Sequence, residues 1–241
     1  MTGGAQGIGL EIARELARRG DSIALADLVP RSQTALTAGE LAEKYGTAVV
    51  PFHVDIQDPA SCEQLIQDVI EQFGRLDVVV NNAGVNYRAV AVETPESAWT
   101  SVINTNLNGT FRISSLAFPF LRESKGTVVN LASTAGHIAV AGSAAYAVSK
   151  AAIIHLTRVL ALEWAEFGVR VNAVGPTIVP TSMTQGLLTN AEYMSKKLGS
   201  IPLGEVALPA DVAHAVAWLA SPEARMVTGH TIFVDGGATI V

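Results

Sequence analysis

The segment Thr2-Gly3-Gly4-Ala5-Gln6-Gly7-Ile8-Gly9 runs directly into an amphipathic stretch, Ile8 to Arg19, that reads as a helix. Glycines at such a junction permit a tight turn and let backbone N–H groups approach an anion at the helix N-terminus, where aligned peptide dipoles favour negative charge. A pyrophosphate suits the loop. The reading gains weight from Asp27, which closes the next strand, where a carboxylate accepts hydrogen bonds from adenosine ribose hydroxyls. The same carboxylate repels a 2′-phosphate, and neither Gln6 nor Leu28 supplies a compensating cation. The expected dinucleotide is therefore NAD rather than NADP.

Outward from this loop, short β-branched runs alternate with longer helical ones. The strands expected are Ser22 to Asp27, Ala48 to Val54, Leu76 to Asn81, Thr127 to Ala132, Arg170 to Val174 and Thr231 to Val234. They are apolar almost throughout, as strands buried on both faces must be. Helices are expected at Ile8 to Arg19, Ala38 to Tyr45, Pro59 to Phe73, Pro95 to Arg122, Ala144 to Phe167 and Pro209 to Ala220. Pro59 and Pro209 suit first-turn positions, where a missing N–H costs nothing. The alternation predicts an α/β fold, a doubly wound parallel sheet of Rossmann type with helices on both faces. That architecture also wants a strand ahead of the glycine loop, and only Met1 precedes it. The expectation is a first strand largely missing here, unpaired ladder groups on its neighbours, and a natural reading frame that starts several residues upstream.

A length of 241 residues suits one large core, so residues 1–241 are expected to form a single domain. Residues 177–204 hold Pro180 and Pro202 around a short helical piece, Ala191 to Leu198, and are expected to act as a substrate lid. Hydrophobic residues make up 49%, yet no run approaches the ~18 uninterrupted apolar residues of a membrane span. The N-terminus offers no secretory signal, and the single Cys62 excludes an internal disulfide, so a cytoplasmic setting is expected. A net charge of −6 argues against nucleic-acid or membrane partners. Arg14, Arg18 and Arg19 are spaced to pair with Glu11 and Glu15 on a solvated helix face. The five histidines are scattered without ligand spacing, so no metal site is expected.

Tyr146 and Lys150 lie four apart in Tyr-Ala-Val-Ser-Lys, within the Ala144 to Phe167 helix, so both side chains leave one face. An ammonium beside a phenol favours phenolate, lowering its pKa from about 10 toward the range of useful proton exchange. Ser133 follows the apolar run Gly-Thr-Val-Val-Asn-Leu-Ala, a buried strand that delivers this hydroxyl toward the same place. A serine hydrolase would need a Gly-x-Ser-x-Gly elbow, and neither Ser133 nor Ser143 has both glycines.

With the glycine loop, Asp27, Asn81-Asn82-Ala83-Gly84, Ser133 and Tyr146-x-x-x-Lys150 in order, the sequence resembles the short-chain dehydrogenase/reductase family, in its single-domain branch, over essentially the whole chain. The resemblance implies that Tyr146 is the general acid/base, that Lys150 binds the nicotinamide ribose and lowers the tyrosine pKa, and that Ser133 holds the substrate oxygen. It implies that Asn106, in Asn-Thr-Asn-Leu-Asn-Gly, offers its backbone carbonyl to a proton relay. By the same likeness Asp55 and Ile56 flank the adenine, and Asn82, Ala83 and Gly84 line the adenosine side. Pro176, Val179 and Thr181 follow the strand Arg170 to Val174 and meet the nicotinamide carboxamide. Thr177 stands where the family usually has glycine, and a β-branched residue there unsettles the contacts of Val179 and Thr181. A homotetramer is implied too, and the apolar tail Ala238 to Val241 fits its interface.

The activity so implied is hydride transfer between nicotinamide and a secondary alcohol or ketone. Ala135, His137 and Met183, with Ser133 and Tyr146, are the expected substrate contacts; Asn86, Tyr87, Val140 and Leu203 complete a wall of apolar, amide and imidazole groups. Such a wall suits a sugar, polyol or small hydroxycarbonyl compound. The alternatives are a 3-oxoacyl or acyloin reductase, and a non-catalytic dinucleotide-binding scaffold or sensor.

Overall fold

A computed structural model describes residues 1–241. In chain order the elements are α1 (Gly7–Arg18), β1 (Ile23–Asp27), α2 (Arg31–Tyr45), β2 (Val49–His53), α3 (Pro59–Phe73), β3 (Val78–Asn81), α4 (Glu96–Ile103), α5 (Thr110–Ser124), β4 (Thr127–Leu131), α6 (Ala144–Trp164), β5 (Arg170–Pro176), α7 (Gln185–Leu188), α8 (Ala191–Gly199), α9 (Pro209–Ala220) and β6 (Thr231–Val234). All strand pairs are parallel, in two groups, β2 beside β1 and β3-β4-β5-β6.

Met1 and Thr2 join the two groups. Thr2 bridges Ala26 on one side and Asn81 on the other. The Met1 amine donates to the Ala24 carbonyl at 2.8 Å, and Thr2 N–H donates to Val80 at 3.0 Å. These two residues are the whole of the central first strand in this chain. Strand order is thus β2-β1-(Met1, Thr2)-β3-β4-β5-β6, a doubly wound sheet with these two residues at its middle position.

Side chains alternate across the sheet and both faces are covered. Along β4, Val129 enters the core with Ile12, Leu16, Leu25, Val216 and Leu219, beneath α1 and α9. Its neighbour Val128 points the other way, among Val69, Ile113, Leu121, Leu160 and Trp164 of α3, α5 and α6. Each fully buried side chain of this size contributes roughly 1.5–3 kcal/mol. Helix 144–167 is long and apolar enough to cross a membrane by length and composition alone. Here it packs on the sheet, with Ser149, Lys150 and Thr157 buried.

Local chemistry sets several boundaries. Asp58 caps α3 by accepting from Ala60 N–H, Pro59 opens its first turn, and Gly74 ends it at φ 71°. Helix α2 begins at Arg31, seven residues before the Ala38 start expected. Pro30, at φ −51°, stops the preceding chain and sets up a polar first turn that hydrophobic periodicity does not reveal. The expected Pro95 to Arg122 helix contains a π turn, Asn104–Gly109, between α4 and α5. A wider turn of this kind re-aims the side chains that follow it. Asn81 Nδ2 donates to Ser114 Oγ and to Asn130 Oδ1, both at 2.9 Å, and Asn130 Nδ2 donates to Thr157 Oγ1 at 3.0 Å. This buried chain fixes α5 and α6 against the C-terminal ends of β3 and β4, where a site in such a sheet forms.

Candidate active site

Helix α6 sends Tyr146 and Lys150 to the same place: Lys150 Nζ lies 5.7 Å from the centroid of the Tyr146 ring. Ser133 arrives from the other side. Its Oγ accepts from Ala135 N–H at 3.2 Å and so caps the turn Thr134–Gly136 beyond β4. A Cβ added to Gly136 would stand 2.5 Å from the Lys150 carbonyl carbon, so only glycine lets this turn lie on the α6 backbone. That close approach puts the Ser133 hydroxyl beside the Tyr146 phenol.

Burial raises the Tyr146 phenol above its ordinary range, while the adjacent Ser133 hydroxyl and the Arg88 charge pull it down. Lys150 is not among the groups that lower it, which corrects the expected ammonium effect. Lys150 is only 5% exposed, and burial brings its pKa down to about 8. Its Nζ donates one of its three protons to the Leu131 carbonyl at 2.6 Å, which anchors the amine to the end of β4.

One cavity of about 430 Å³ runs from Asp27 to Tyr146 and Lys150. Gly3, Gln6, Gly7, Ile8, Gly9, Asp27, Asp55, Ile56, Asn82, Ala83, Gly84, Pro176 and Thr181 line it, as expected. The glycines are there for space. A Cβ on Gly9 would fall 1.9 Å from the Gly3 carbonyl oxygen, and one on Gly3, at φ 64°, 2.8 Å from Ala83 Cα. Asn82 Nδ2 donates to the Gly3 carbonyl at 2.7 Å and pins the loop to the segment after β3. Asp27 accepts from Ala5 N–H at 2.9 Å and from Val29 N–H at 3.2 Å. A carboxylate at one end, a glycine cradle over the α1 N-terminus in the middle and a phenol–amine pair at the other end fit the chemistry of an extended dinucleotide.

Not every expected residue lies on this cavity. Val179 is 2% exposed and packs in the core under α1, leaving only its carbonyl free to accept from Thr184 Oγ1 at 2.5 Å. His137 is exposed and lies against Phe233, ring centroids 5.0 Å apart, off the cavity wall. Ala135 holds Ser133 through its N–H, whereas Met183 lines the cavity directly. Asn106 is buried in the π turn. Its Oδ1 accepts from Val85 N–H at 2.8 Å, its Nδ2 donates to Ser149 Oγ at 3.0 Å, and its backbone carbonyl accepts from Thr110 Oγ1 at 2.8 Å. It thereby ties the segment after Gly84 to α6.

Sequence reasoning passed over Val29, Val54, Thr105 and Leu131, all on the cavity wall. Val54 and Thr105 adjoin residues that were chosen, Asp55 and Asn106, and that adjacency was the only available signal. The Leu131 contribution is a backbone carbonyl, which no side-chain motif encodes. Arg88 could have been noticed as a cation four residues past Gly84.

A family model described as enoyl-(acyl carrier protein) reductase matches residues 3–239. The 3-oxoacyl-[acyl-carrier-protein] reductase FabG of Thermotoga maritima is 35% identical, over 100% of this chain and 96% of its own length. Meso-2,3-butanediol dehydrogenase of Serratia marcescens is 36% identical over 99% and 93% of the two chains. Among solved structures, a gluconate 5-dehydrogenase from Burkholderia cenocepacia J2315, in complex with NADP and tartrate, superposes with a TM-score of 0.96 at 28% identity, covering 100% of this chain and 94% of that one.

Proposed function

The chain belongs to the short-chain dehydrogenase/reductase family, as an oxidoreductase of alcohols and ketones, and we propose that it couples NAD to a sugar, polyol or small hydroxycarbonyl compound. The observation that carries the reading is the meeting of Ser133, Tyr146 and Lys150 at the end of a cavity whose other end is the Asp27 carboxylate. When bound, the nicotinamide supplies the hydride acceptor, or in reduction the donor.

The protein's own residues handle the proton and the geometry. Ser133 Oγ, already within reach of the phenol, holds the substrate oxygen. Tyr146 takes the hydroxyl proton during oxidation and returns it during reduction. A phenol raised by burial is a good donor and a reluctant phenolate, so the site as built favours protonating a carbonyl oxygen near neutral pH. Lys150, anchored on Leu131 and titrating near 8, is poised to hold a ribose hydroxyl and pass a proton. Asn106, clamped to Val85 and Ser149, keeps the cofactor-side segment in register with α6.

NAD is favoured because the Asp27 carboxylate lines the cavity at the end of β1, where its charge would repel a 2′-phosphate. Residues 177–204, with α7 and α8, are read as a lid, since Thr181, Ser182 and Met183 already border the cavity. The homotetramer belongs to the same reading; Phe111 and Leu162 give α5 and α6 exposed apolar side chains for contact between copies. A soluble cytoplasmic enzyme is implied.

A second reading, reduction of 3-oxoacyl thioesters, is supported by the identity to the Thermotoga enzyme. Initial rates with NADH and NADPH against a panel of sugars, polyols, acetoin and an acetoacetyl thioester separate the two. Turnover of the thioester alone, or with NADPH alone, would displace the proposal.

A further inference from the structure

Val85, Tyr146 and Lys150 line the dinucleotide cavity, whereas their chain neighbours Asn86, Arg88 and Ser143 lie off it. Hydrogen bonds hold these neighbours close to the phenol. Asn106 Oδ1 accepts from Val85 N–H at 2.8 Å, and Asn106 Nδ2 donates at 3.0 Å to the Val85 carbonyl and to Ser149 Oγ of α6. The segment leading to Arg88 is thereby tied to the helix that carries Tyr146, and the Arg88 charge acts on the phenol.

This patch collects groups that have no partner within the chain. Ser143 is 1% exposed, yet its hydroxyl makes no hydrogen bond, and although it stands at the N-cap of α6 it caps no N–H. The first turn of α6 holds no acidic side chain, so the positive end of a 21-residue helix is uncompensated. Asn86 Oδ1 is a second buried acceptor without a donor. Arg88 is exposed and makes no ion pair, whereas Arg14, Arg18, Arg19 and Arg75 each hold a carboxylate. No carboxylate is among the groups acting on Tyr146, so none competes there for the guanidinium. A folded chain pairs nearly all of its buried polar groups, and orphans gathered beside a reactive phenol mark where a ligand's atoms belong.

We propose that Arg88, the Ser143 hydroxyl and the open N-terminus of α6 form a carboxylate-binding subsite, so that the compound turned over at Tyr146 is a hydroxy acid or the matching oxo acid. The subsite rests on the oxidoreductase reading above and names the substrate class within it. A guanidinium takes a carboxylate through two parallel hydrogen bonds, and a helix N-terminus adds N–H donors of the same sign. Ser143 donates one more, and Asn86 Oδ1 accepts from a hydroxyl elsewhere on the acid. A neutral polyol leaves the guanidinium unpaired. A thioester gains nothing either, since its acyl carbonyl carries no charge.

The test uses matched pairs that differ only in a carboxylate against a CH2OH group at one end: lactate and propane-1,2-diol, glycerate and glycerol, gluconate and sorbitol. Each is assayed for kcat and KM with NAD, and for calorimetric binding to the NADH-loaded protein. The chains compared are the parent, Arg88→Gln, Arg88→Lys, Ser143→Ala and, as a control for charge alone, Arg225→Gln, an exposed residue ahead of β6 at the opposite end of the sheet. In at least one pair the parent is expected to favour the acid on the order of 10- to 100-fold, the scale of charge-assisted hydrogen bonds. Arg88→Gln should collapse that ratio chiefly through KM, Arg88→Lys should restore part of it, Ser143→Ala should reduce it by a smaller factor, and Arg225→Gln should leave it as in the parent. Equal handling of both members of every pair, or a preference that survives Arg88→Gln, overturns the subsite while the oxidoreductase reading stands. Arg88-dependent binding of an acid without turnover of any compound supports the subsite and sinks the proposed reaction instead. Neither binding nor turnover of any acid overturns the subsite.

Discussion

Lys150 Nζ donates to the carbonyl oxygen of Leu131 at 2.6 Å, which binds the active-site helix to the last residue of β4 through a buried cation. The arrangement costs charge desolvation: burial lowers the amine to about 8 from an ordinary 10.5. A lysine depressed in the fold holds fewer protons there than when unfolded between those two values. Its contribution to stability is therefore full above 10.5 and is lost as pH falls through 8. For a side chain this well buried the swing is about 3 kcal/mol. Lys150→Met removes the titration. Urea unfolding of both proteins should show the parent gaining about 3 kcal/mol on the variant between pH 7.5 and 10.5. A pH-independent difference would mean that the amine is not desolvated.

Function separates the two residues of this helix face differently. Tyr146→Phe keeps the ring that fills the cavity and removes the proton, so turnover is expected to fall by about 10²- to 10⁴-fold with NADH binding retained. Lys150→Ala strips a group from the cofactor side as well, and both turnover and NADH affinity should drop. In the parent, oxidation should accelerate as pH rises into the alkaline range, because burial keeps the phenol protonated at neutrality. Stopped-flow hydride transfer and NADH fluorescence titration read these effects apart; wild-type oxidation by Tyr146→Phe would remove tyrosine from the mechanism.

Gly9→Ala is the sharpest probe of the loop. Its Cβ would come within 1.9 Å of the Gly3 oxygen and 2.5 Å of Asn82 Nδ2, so the loop must open or the α1 N-terminus must retreat. Backbone cannot yield by that much without losing the N–H cradle. Dinucleotide affinity should fall on the order of 100-fold while far-UV circular dichroism stays that of the parent, because the collision lies at a loop and not in the core. Calorimetric titration with NADH measures it; parent-like affinity would show that the loop does not hold the pyrophosphate.

The elements most legible in the sequence carried their own punctuation. Asp58-Pro59 and Gly74 bracket α3, Pro209 opens α9, and both helices span the residues expected. Arg31 to Thr37 went unread because a polar first turn after Pro30 has no apolar stripe, and its one deep contact, Thr34, is a hydroxyl. The π turn at Asn104–Gly109 is equally silent, since it conserves helical composition while changing its pitch. At the site, side chains grouped by chain order were found where spacing put them, at Ser133, Tyr146 and Lys150. Val179 was placed by likeness and His137 as a pocket residue beyond its strand, both on loops, where a turn of the backbone decides whether a side chain faces the cavity or not. The direction of the Tyr146 shift was read from its neighbour, whereas the fold decides it by burial.

Asp27 joins structure and selectivity in one carboxylate, and the two can be pulled apart. Its oxygens accept from Ala5 and Val29 N–H groups, holding the glycine loop to the end of β1. Asp27→Asn keeps an acceptor oxygen for one of these donors and removes the charge, whereas Asp27→Ala removes both. The alanine variant should lose about 1–3 kcal/mol of stability, the cost of leaving buried donors unpaired, and the asparagine variant less. If the charge is what excludes a 2′-phosphate, both variants should narrow the ratio of kcat/KM for NADH over NADPH, on the order of tenfold or more, since a like charge within a few ångströms at a partly buried site is worth at least that. Thermal melts and paired kinetics give the two readouts independently. An unchanged ratio in Asp27→Asn, with stability near that of the parent, would assign Asp27 to loop anchoring alone and leave cofactor choice to other residues.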